Sequence, residues 1–258
     1  MSQKRSFVYT TIGKKVLMSV TGLMLFGFLI THLAGNFLLF DAIGGKEAFN
    51  NYAHALITNP LIIPMEIGLA AVFIIHIVSA IKVSMASKAA RPEGYAVRNT
   101  MGKSTFFSRS MLQTGSIIFI FLVIHLATFK FGDEYYIGDL SDQQKIELRE
   151  KGLSEAQIVE ANTAFRAAHG HKEKVRDLYR TVVESFADKG YSLLYVLCMI
   201  IMGFHLAHGF QSAFQTLGLN HPKYTCCIKR ISNVLAIIFA LGYSVFPIYF
   251  GFINPVGG

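Results

Sequence analysis

Histidine is the residue type in the apolar parts of this chain that could do the most chemistry. Four long hydrophobic stretches contain it, at His32, His76, His125 and the pair His205 and His208. An ionisable residue inside a membrane-length apolar segment is costly and is usually functional. A single one often only hydrogen-bonds to a neighbouring helix. Because four segments share the feature, we expect these histidines to bind a common kind of group.

Five apolar segments must position these side chains, and each is long enough to cross about 30 Å of hydrocarbon as a helix. They lie at approximately 16–40, 61–81, 111–129, 193–217 and 231–253. The first is not a cleaved signal peptide, because its apolar run is too long and no small-residue cleavage site follows it. The sequence therefore predicts an all-α fold, a polytopic membrane bundle of five transmembrane helices.

The distribution of charge predicts the orientation of the bundle. The net charge is +8, and 13 basic residues lie before the first segment or in the connections from the second to the third and from the fourth to the fifth. These three stretches contain one acidic residue, Glu93. Because excess Lys and Arg marks the cytoplasmic side, we expect a bacterial cytoplasmic membrane protein with its N-terminus inside and its C-terminus outside. The basic excess then reflects topology, and no nucleic-acid partner is expected.

The depth of each histidine can be counted from the nearest cytoplasmic basic residue. At 1.5 Å per residue, His32 and His125 lie about 25 and 24 Å above that boundary, and His76 about 9 Å. His208 lies about 15 Å above it if its helix ends near residue 218. Two facing imidazoles at one level are what a six-coordinate haem iron requires, and bundle cores house such cofactors. We therefore expect His32 with His125 at an outer haem and His76 with His208 at an inner haem. His205, one turn from His208 and about 4.5 Å further out, is the alternative.

One acidic residue, Glu66, falls inside a segment, just after Pro64 at its outer end. At this depth its carboxylate can reach water, so one reading is a snorkelling or hydrogen-bonded side chain. The other is a proton acceptor or hydrogen-bond partner for a quinone near the outer haem.

The segment at 132–190 is too long to be a simple connection and predicts an outer helical insertion. It contains two capping boxes, Ser141-x-x-Gln144 and Ser154-x-x-Gln157, which are signatures of helix starts. Further on, apolar residues recur with helical spacing and form one stripe, at Val175, Leu178, Tyr179, Val182, Val183 and Phe186. We interpret the insertion as a cap without chemistry of its own.

Several segments together resemble the cytochrome b membrane-anchor subunit of succinate dehydrogenases and fumarate reductases, in its single-subunit, five-helix, two-haem form. They cover nearly the whole chain, and the stretch with two histidines is the most specific. The matching segments are Ser19-Val-Thr-Gly-Leu23 leading to His32-Leu-Ala-Gly-Asn36, His76, Gln113-Thr-Gly115 leading to His125, and His205-Leu-Ala-His-Gly-Phe-Gln-Ser212 running on to Gln215-Thr-Leu-Gly218.

This resemblance implies two haem b groups with axial ligands at His32, His76, His125 and His208. It also implies a flavoprotein subunit and an iron–sulfur subunit on the cytoplasmic face, and a membrane quinone, expected to be menaquinone, as substrate. Ser19 is placed to bind a propionate of the inner haem. One departure is Leu206, where some members carry a Glu on a transmembrane proton path, so coupling by that route is not expected here.

The sequence therefore predicts the membrane anchor of a succinate:quinone or quinol:fumarate oxidoreductase, which would not oxidise succinate alone. The chain has no flavin fingerprint, and its three cysteines have no spacing for iron–sulfur ligation or covalent haem attachment. One rival is a haem b anchor of a hydrogenase or formate dehydrogenase. Another is a transporter that moves protons or metal ions along membrane histidines. A transporter should show internal repeats and interrupted helices, and we identify no clear repeat.

Overall fold

The computed structural model describes residues 10–90, 110–132, 134–140, 142–168 and 175–254. Nine α-helices form within these residues, and a 3₁₀ turn (Phe37–Leu39) and a π-helical turn (Tyr249–Ile253) extend the first and the last. In chain order the helices are α1 (Thr11–Asn36), α2 (Gly45–Thr58), α3 (Ile62–Ala89), α4 (Met111–Phe129), α5 (Asp142–Glu150), α6 (Glu155–Ala168), α7 (Leu178–Ala187), α8 (Lys189–Thr216) and α9 (Pro222–Ile248).

Five of these helices, α1, α3, α4, α8 and α9, are long and apolar enough to cross a membrane. The all-α prediction and the number of spans are thus confirmed. Two helices run well past the predicted apolar segments: α3 continues to Ala89, and α9 begins at Pro222. A hydropathy pattern detects only the hydrocarbon-spanning part, whereas the basic ends of these helices keep the helical backbone. At the start of α9, the His221 ring accepts a hydrogen bond from Lys223 N, and proline suits the first helical position.

Four of the long helices form a ring in the order α3, α1, α8, α4. Helix α1 packs along α3 and α8, and α8 packs along α4. Helices α3 and α4 close the ring through a much smaller contact, and α9 packs on the outside, mainly against α8. The helices at opposite corners, α1 with α4 and α3 with α8, do not pack extensively on each other. Side chains from opposite corners can therefore meet across the centre of the ring.

The contact between α8 and α9 fixes which face of α8 points into the ring. A Cβ on Gly203 would lie 2.9 Å from Ala240 Cβ, so only glycine allows this approach. Ser232 Oγ on α9 also donates a hydrogen bond to the Ala207 carbonyl at 2.5 Å. Small residues and hydroxyl groups commonly join membrane helices in this way. The face of α8 that carries Gly203 and Ala207 therefore points away from the ring centre.

A helical cap covers the end of the bundle at which α1 and α4 finish, here called the cap end. The predicted apolar stripe forms the buried side of α7, where Val182, Val183 and Phe186 are each less than 10% exposed. Helix α7 packs against α2 and the π-helical turn. Helix α2 lies in a connection for which no helix was predicted from the sequence. The opposite end, where α1, α4 and α9 begin, is called the basic end.

A buried polar network joins the two helices of the cap. Asp177, 2% exposed, is the N-cap of α7 and accepts hydrogen bonds from Arg180 N at 3.0 Å and Asn50 Nδ2 at 2.8 Å. Asn50 Oδ1 in turn accepts from Tyr179 N at 2.9 Å. Lys46 on α2 forms an ion pair of 2.6 Å with Asp177. The carboxylate is thus fully partnered, as a buried charge must be.

The outer part of the insertion is held by local polar contacts. Ser154 N donates to Gln157 Oε1 at 2.8 Å, and Gln157 N donates to Ser154 Oγ at 3.4 Å, so the second predicted capping box is confirmed. The first predicted box begins at Ser141, which lies outside the described residues. Arg149 on α5 donates to Glu155 at 2.7 Å and lowers the pKa of that exposed carboxyl.

Candidate functional site

Two of the predicted ligands meet at the centre of the helix ring, near the cap end. The rings of His32 on α1 and His125 on α4 have centroids 5.9 Å apart, and their planes are nearly perpendicular at 86°. A metal bound between two imidazole nitrogens at about 2 Å each would place the ring centres about 6 Å apart. The separation of this pair, here called the cap-side pair, therefore suits two axial ligands of one metal ion.

Aromatic side chains hold the cap-side pair in place. His125 Nδ1 lies 3.1 Å from the hydroxyl oxygen of Tyr195 on α8. His32 stacks on Phe28, one turn earlier in α1, with centroids 5.3 Å apart and planes 13° apart. The Tyr243 ring lies 6.0 Å from His32, and its hydroxyl donates to the Leu29 carbonyl at 2.8 Å. These contacts come from α1 itself and from two further helices, α8 and α9, and they restrict the rotamers of both imidazoles.

The third predicted ligand, His76 on α3, is oriented by α1. Its Nδ1 lies 3.1 Å from the Met18 carbonyl oxygen and 3.3 Å from Thr21 Oγ1. A carbonyl oxygen can only accept, so Nδ1 carries the proton and Nε2 keeps its lone pair. The Thr21 hydroxyl donates to the Leu17 carbonyl at 2.7 Å, which leaves its oxygen free to accept from the imidazole. Metal-ligating histidines are commonly held through the second ring nitrogen in this way.

A matching arrangement holds His205 on α8. Its Nδ1 lies 3.1 Å from Thr114 Oγ1 on α4, and Thr114 donates its own proton to the Ser110 carbonyl at 3.0 Å. The threonine oxygen therefore accepts from the imidazole, and Nε2 of His205 keeps its lone pair. His76 and His205 come from opposite corners of the ring and are here called the basic-side pair.

Of the two histidines on α8, His205 is the one that the structure orients from a neighbouring helix, through the contact with Thr114 on α4. The depth count favoured His208, but depth gives the level of a residue along a helix and not the direction of its side chain. Two residues correspond to about 200° of rotation, so His205 stands opposite Gly203, which packs on α9. His208 is half-buried and makes no hydrogen bond within the described residues. The expected pairing of His76 with His208 stays a prediction, and the orientation of His205 favours His205 as the alternative.

An internal repeat links the two pairs. The pattern Thr-Gly, nine residues and His occurs twice, as Thr21-Gly22 to His32 and as Thr114-Gly115 to His125. The 11 residues from Thr to His are close to three turns of 3.6 residues, so both lie on one helix face. In each copy the threonine contacts a basic-side histidine on another helix, Thr21 with His76 and Thr114 with His205. The histidine of the copy itself, His32 or His125, belongs to the cap-side pair. No clear repeat was predicted from the sequence, although this spacing could have revealed it.

The glycine of each copy lies under an imidazole ring. A Cβ on Gly22 would be 3.1 Å from His76 Cε1, and a Cβ on Gly115 would be 3.3 Å from His205 Cε1. Both contacts are tighter than ordinary van der Waals separation. Glycine at these positions therefore lets the two rings lie close to the helices that orient them.

The remaining predicted residues have other partners. Ser19 is buried and donates to the Lys15 carbonyl at 2.9 Å, so its proton is already used within α1. Glu66 forms an ion pair with Lys130, and both side chains are about half exposed. Lys130 directly follows the last residue of α4, so this ion pair connects α3 with α4. These two helices share the smallest contact in the helix ring.

Each pair consists of two imidazoles, so a metal bound there would need further ligands to complete its coordination. Among the described residues there is no group of three or more His, Cys, Asp or Glu side chains that could hold a metal ion. Each pair could offer two imidazole nitrogens, and a haem macrocycle would supply the other four.

Comparison of the chain with protein-family models, with curated proteins and with solved structures gives no match.

Proposed function

We propose that this protein is a dihaem cytochrome b, the membrane subunit of a succinate:quinone or quinol:fumarate oxidoreductase. The observation that carries the haem assignment is the arrangement of four histidines as two pairs. Each pair spans opposite corners of one helix ring, and the two pairs lie at different levels. The narrower assignment to succinate or fumarate rests on the resemblance of the quoted sequence segments.

In this proposal, His32 and His125 are the axial ligands near the cap end, and His76 and His205 are the axial ligands near the basic end. Bound haem iron would supply one-electron redox chemistry at both levels. The protein orients the imidazoles, with Thr21 and Thr114 holding the Nδ1 protons of the basic-side pair. The 11-residue spacing sets the levels about 16 Å apart along the bundle.

Other parts of the chain have proposed roles at the two ends. The basic end, placed in the cytoplasm, would receive the iron–sulfur and flavoprotein subunits. The exposed ion pair of Glu66 and Lys130 lies toward the cap end, where Glu66 would hydrogen-bond a quinone or accept its proton. Ser19, at the basic end, would reach a haem propionate only by giving up its hydrogen bond to Lys15.

Haem stoichiometry tests the proposal directly. The protein purified from membranes should give a reduced-minus-oxidised haem b spectrum and two haems per chain. His32→Ala, His76→Ala, His125→Ala and His205→Ala should each lose one haem. His208→Ala is the matched control, three residues away on the same helix, and should retain both. A haem-free preparation, or one haem per chain, would defeat the assignment.

The rivals are separated by the electron donor. In membranes containing the native complex, succinate should reduce the haems of this chain, whereas reduction by formate or hydrogen alone would favour an anchor of a formate dehydrogenase or hydrogenase. The repeat described above is a feature that transporters also show. However, the four ring helices are continuous over their described lengths, whereas transporter sites typically contain interrupted helices.

A further inference from the structure

A groove on the outside of the bundle lies between α1 and α3 at the basic end. Its volume is about 300 Å³. Apolar side chains form most of its wall, and two lysines also line it. The lining residues are Lys14, Leu17, Ile74, Ile75, Val78, Ser79 and Lys82.

The groove changes from basic to apolar along the bundle axis. Helices α1 and α3 are antiparallel neighbours, so Lys14 near the start of α1 and Lys82 near the end of α3 lie at the same end. Val78 lies one turn deeper than Lys82, and Ile74 lies about 12 Å deeper. Two ammonium groups therefore stand above a strip of branched apolar side chains.

This groove opens away from the histidine pairs. Ile74 and Val78 are 59% and 40% exposed, and in a membrane their exposed surface would contact lipid. His76 is two residues from each of them, which is about 200° around the helix. The His76 imidazole therefore points into the helix ring, whereas Ile74 and Val78 point out of it. The groove is thus separate from the proposed haem sites.

The charge of the groove is unopposed within the part of the chain that the structure describes. Neither Lys14 nor Lys82 has an ion pair there, and no Asp or Glu lines the groove. Lys14 is half-buried against the groove wall. Two uncompensated cations beside a lipid-facing apolar strip match a molecule with an anionic head and a hydrocarbon tail.

We propose that this groove is a binding site for one anionic phospholipid. Lys14 and Lys82 bind the phosphate of the headgroup, and an acyl chain lies along Leu17, Ile74 and Val78. Basic pockets between membrane helices commonly bind anionic headgroups, and each such lysine contributes about 1 kcal/mol. The inference depends on the protein spanning a membrane and does not depend on the proposed haem function.

Native mass spectrometry of the detergent-solubilised full chain tests the site. The probes are phosphatidylglycerol and phosphatidylcholine with identical acyl chains. The wild-type protein should retain one phosphatidylglycerol in preference to phosphatidylcholine. Lys14→Gln with Lys82→Gln should weaken that binding about 30-fold, because about 1 kcal/mol for each lysine is about fivefold. The matched control, Lys88→Gln with Lys223→Gln, removes the same charge from the same end and should bind as the wild type does.

A second variant tests the apolar part without altering charge. Ile74→Trp places a large ring in the groove from a lipid-facing position, so the fold should tolerate it while lipid retention falls at least tenfold. Equal binding of the two lipids, unchanged binding in the double lysine variant, or an equal loss in the control would overturn the proposal. Loss of bound haem with unchanged lipid binding would also overturn it, because the lysines would then serve haem propionates.

Discussion

The two threonines of the repeat should differ in how strongly their hydrogen bonds hold the histidines in place. Thr114 Oγ1 is the hydrogen-bond acceptor that the structure gives to His205 Nδ1, at 3.1 Å. His76 Nδ1 has two acceptors, because the Met18 carbonyl lies at 3.1 Å in addition to Thr21 Oγ1 at 3.3 Å. We therefore predict that Thr114→Val weakens haem binding at the basic-side pair more than Thr21→Val does.

The size of the effect follows from the hydrogen bonds. Valine has nearly the shape of threonine but cannot accept, so Thr114→Val leaves the Nδ1 proton of His205 without its partner. An unsatisfied buried donor costs about 1–3 kcal/mol, which agrees with the roughly 10- to 100-fold loss of metal affinity when a supporting residue is removed. Thr21→Val leaves the Met18 carbonyl in place, so the loss should stay below about fivefold.

Haem retention and redox potential together provide the assay. Each purified variant is challenged with excess apomyoglobin, and the haem remaining per chain is measured with time. A redox titration on the same samples should show a shifted midpoint for one of the two haems in Thr114→Val and a smaller shift in Thr21→Val. Equal losses in the two variants, or a greater loss in Thr21→Val, would refute the reasoning from acceptor number.

Three further predictions concern the cap, the ion pair and the packing of α9. Asp177→Ala leaves Asn50 Nδ2 without its acceptor and should cost about 2–3 kcal/mol of local stability; faster hydrogen exchange of α7 amides measures this. Asp188→Ala, an exposed N-cap of α8, is the control and should cost about 1 kcal/mol. Glu66→Gln should change stability by less than about 1 kcal/mol, because its ion pair is half exposed, but should lower quinone-linked turnover; unchanged turnover at every pH would rule out the proposed role. Gly203→Leu should separate α8 from α9 and reduce the yield of folded protein, whereas normal thermal stability of that variant would contradict the close approach seen here.

Local patterns were enough to predict most of the elements. Apolar length identifies the five long helices, and helical spacing identifies the buried side of α7. Helix α2 was missed because its burial is not local: Asn50 is buried by contacts with Asp177 and Tyr179, more than a hundred residues away. A short amphipathic helix with few apolar residues gives little signal until its partner is known.

The site was predictable as a set of histidines but not as a set of contacts. Counting residues places each histidine at a level, and this pairs His32 with His125, which do lie together in the structure. The same count favoured His208 over His205, but one turn changes the level by only about 4.5 Å. The direction of each side chain depends instead on how α8 packs against α9 and α4. The position of Gly203 on the α9 side is the information that the one-dimensional count lacked.

The 11-residue spacing limits where residues can be inserted into or deleted from such a protein. Because one face of α1 and one face of α4 serve both levels, a single inserted or deleted residue between Thr and His would turn one level by about 100° and leave the other in place. Both sites survive only if whole turns are added or removed, so their separation can change in steps of about 5 Å and not continuously. Insertions and deletions should therefore be found in the connections and the cap, and not between the two levels.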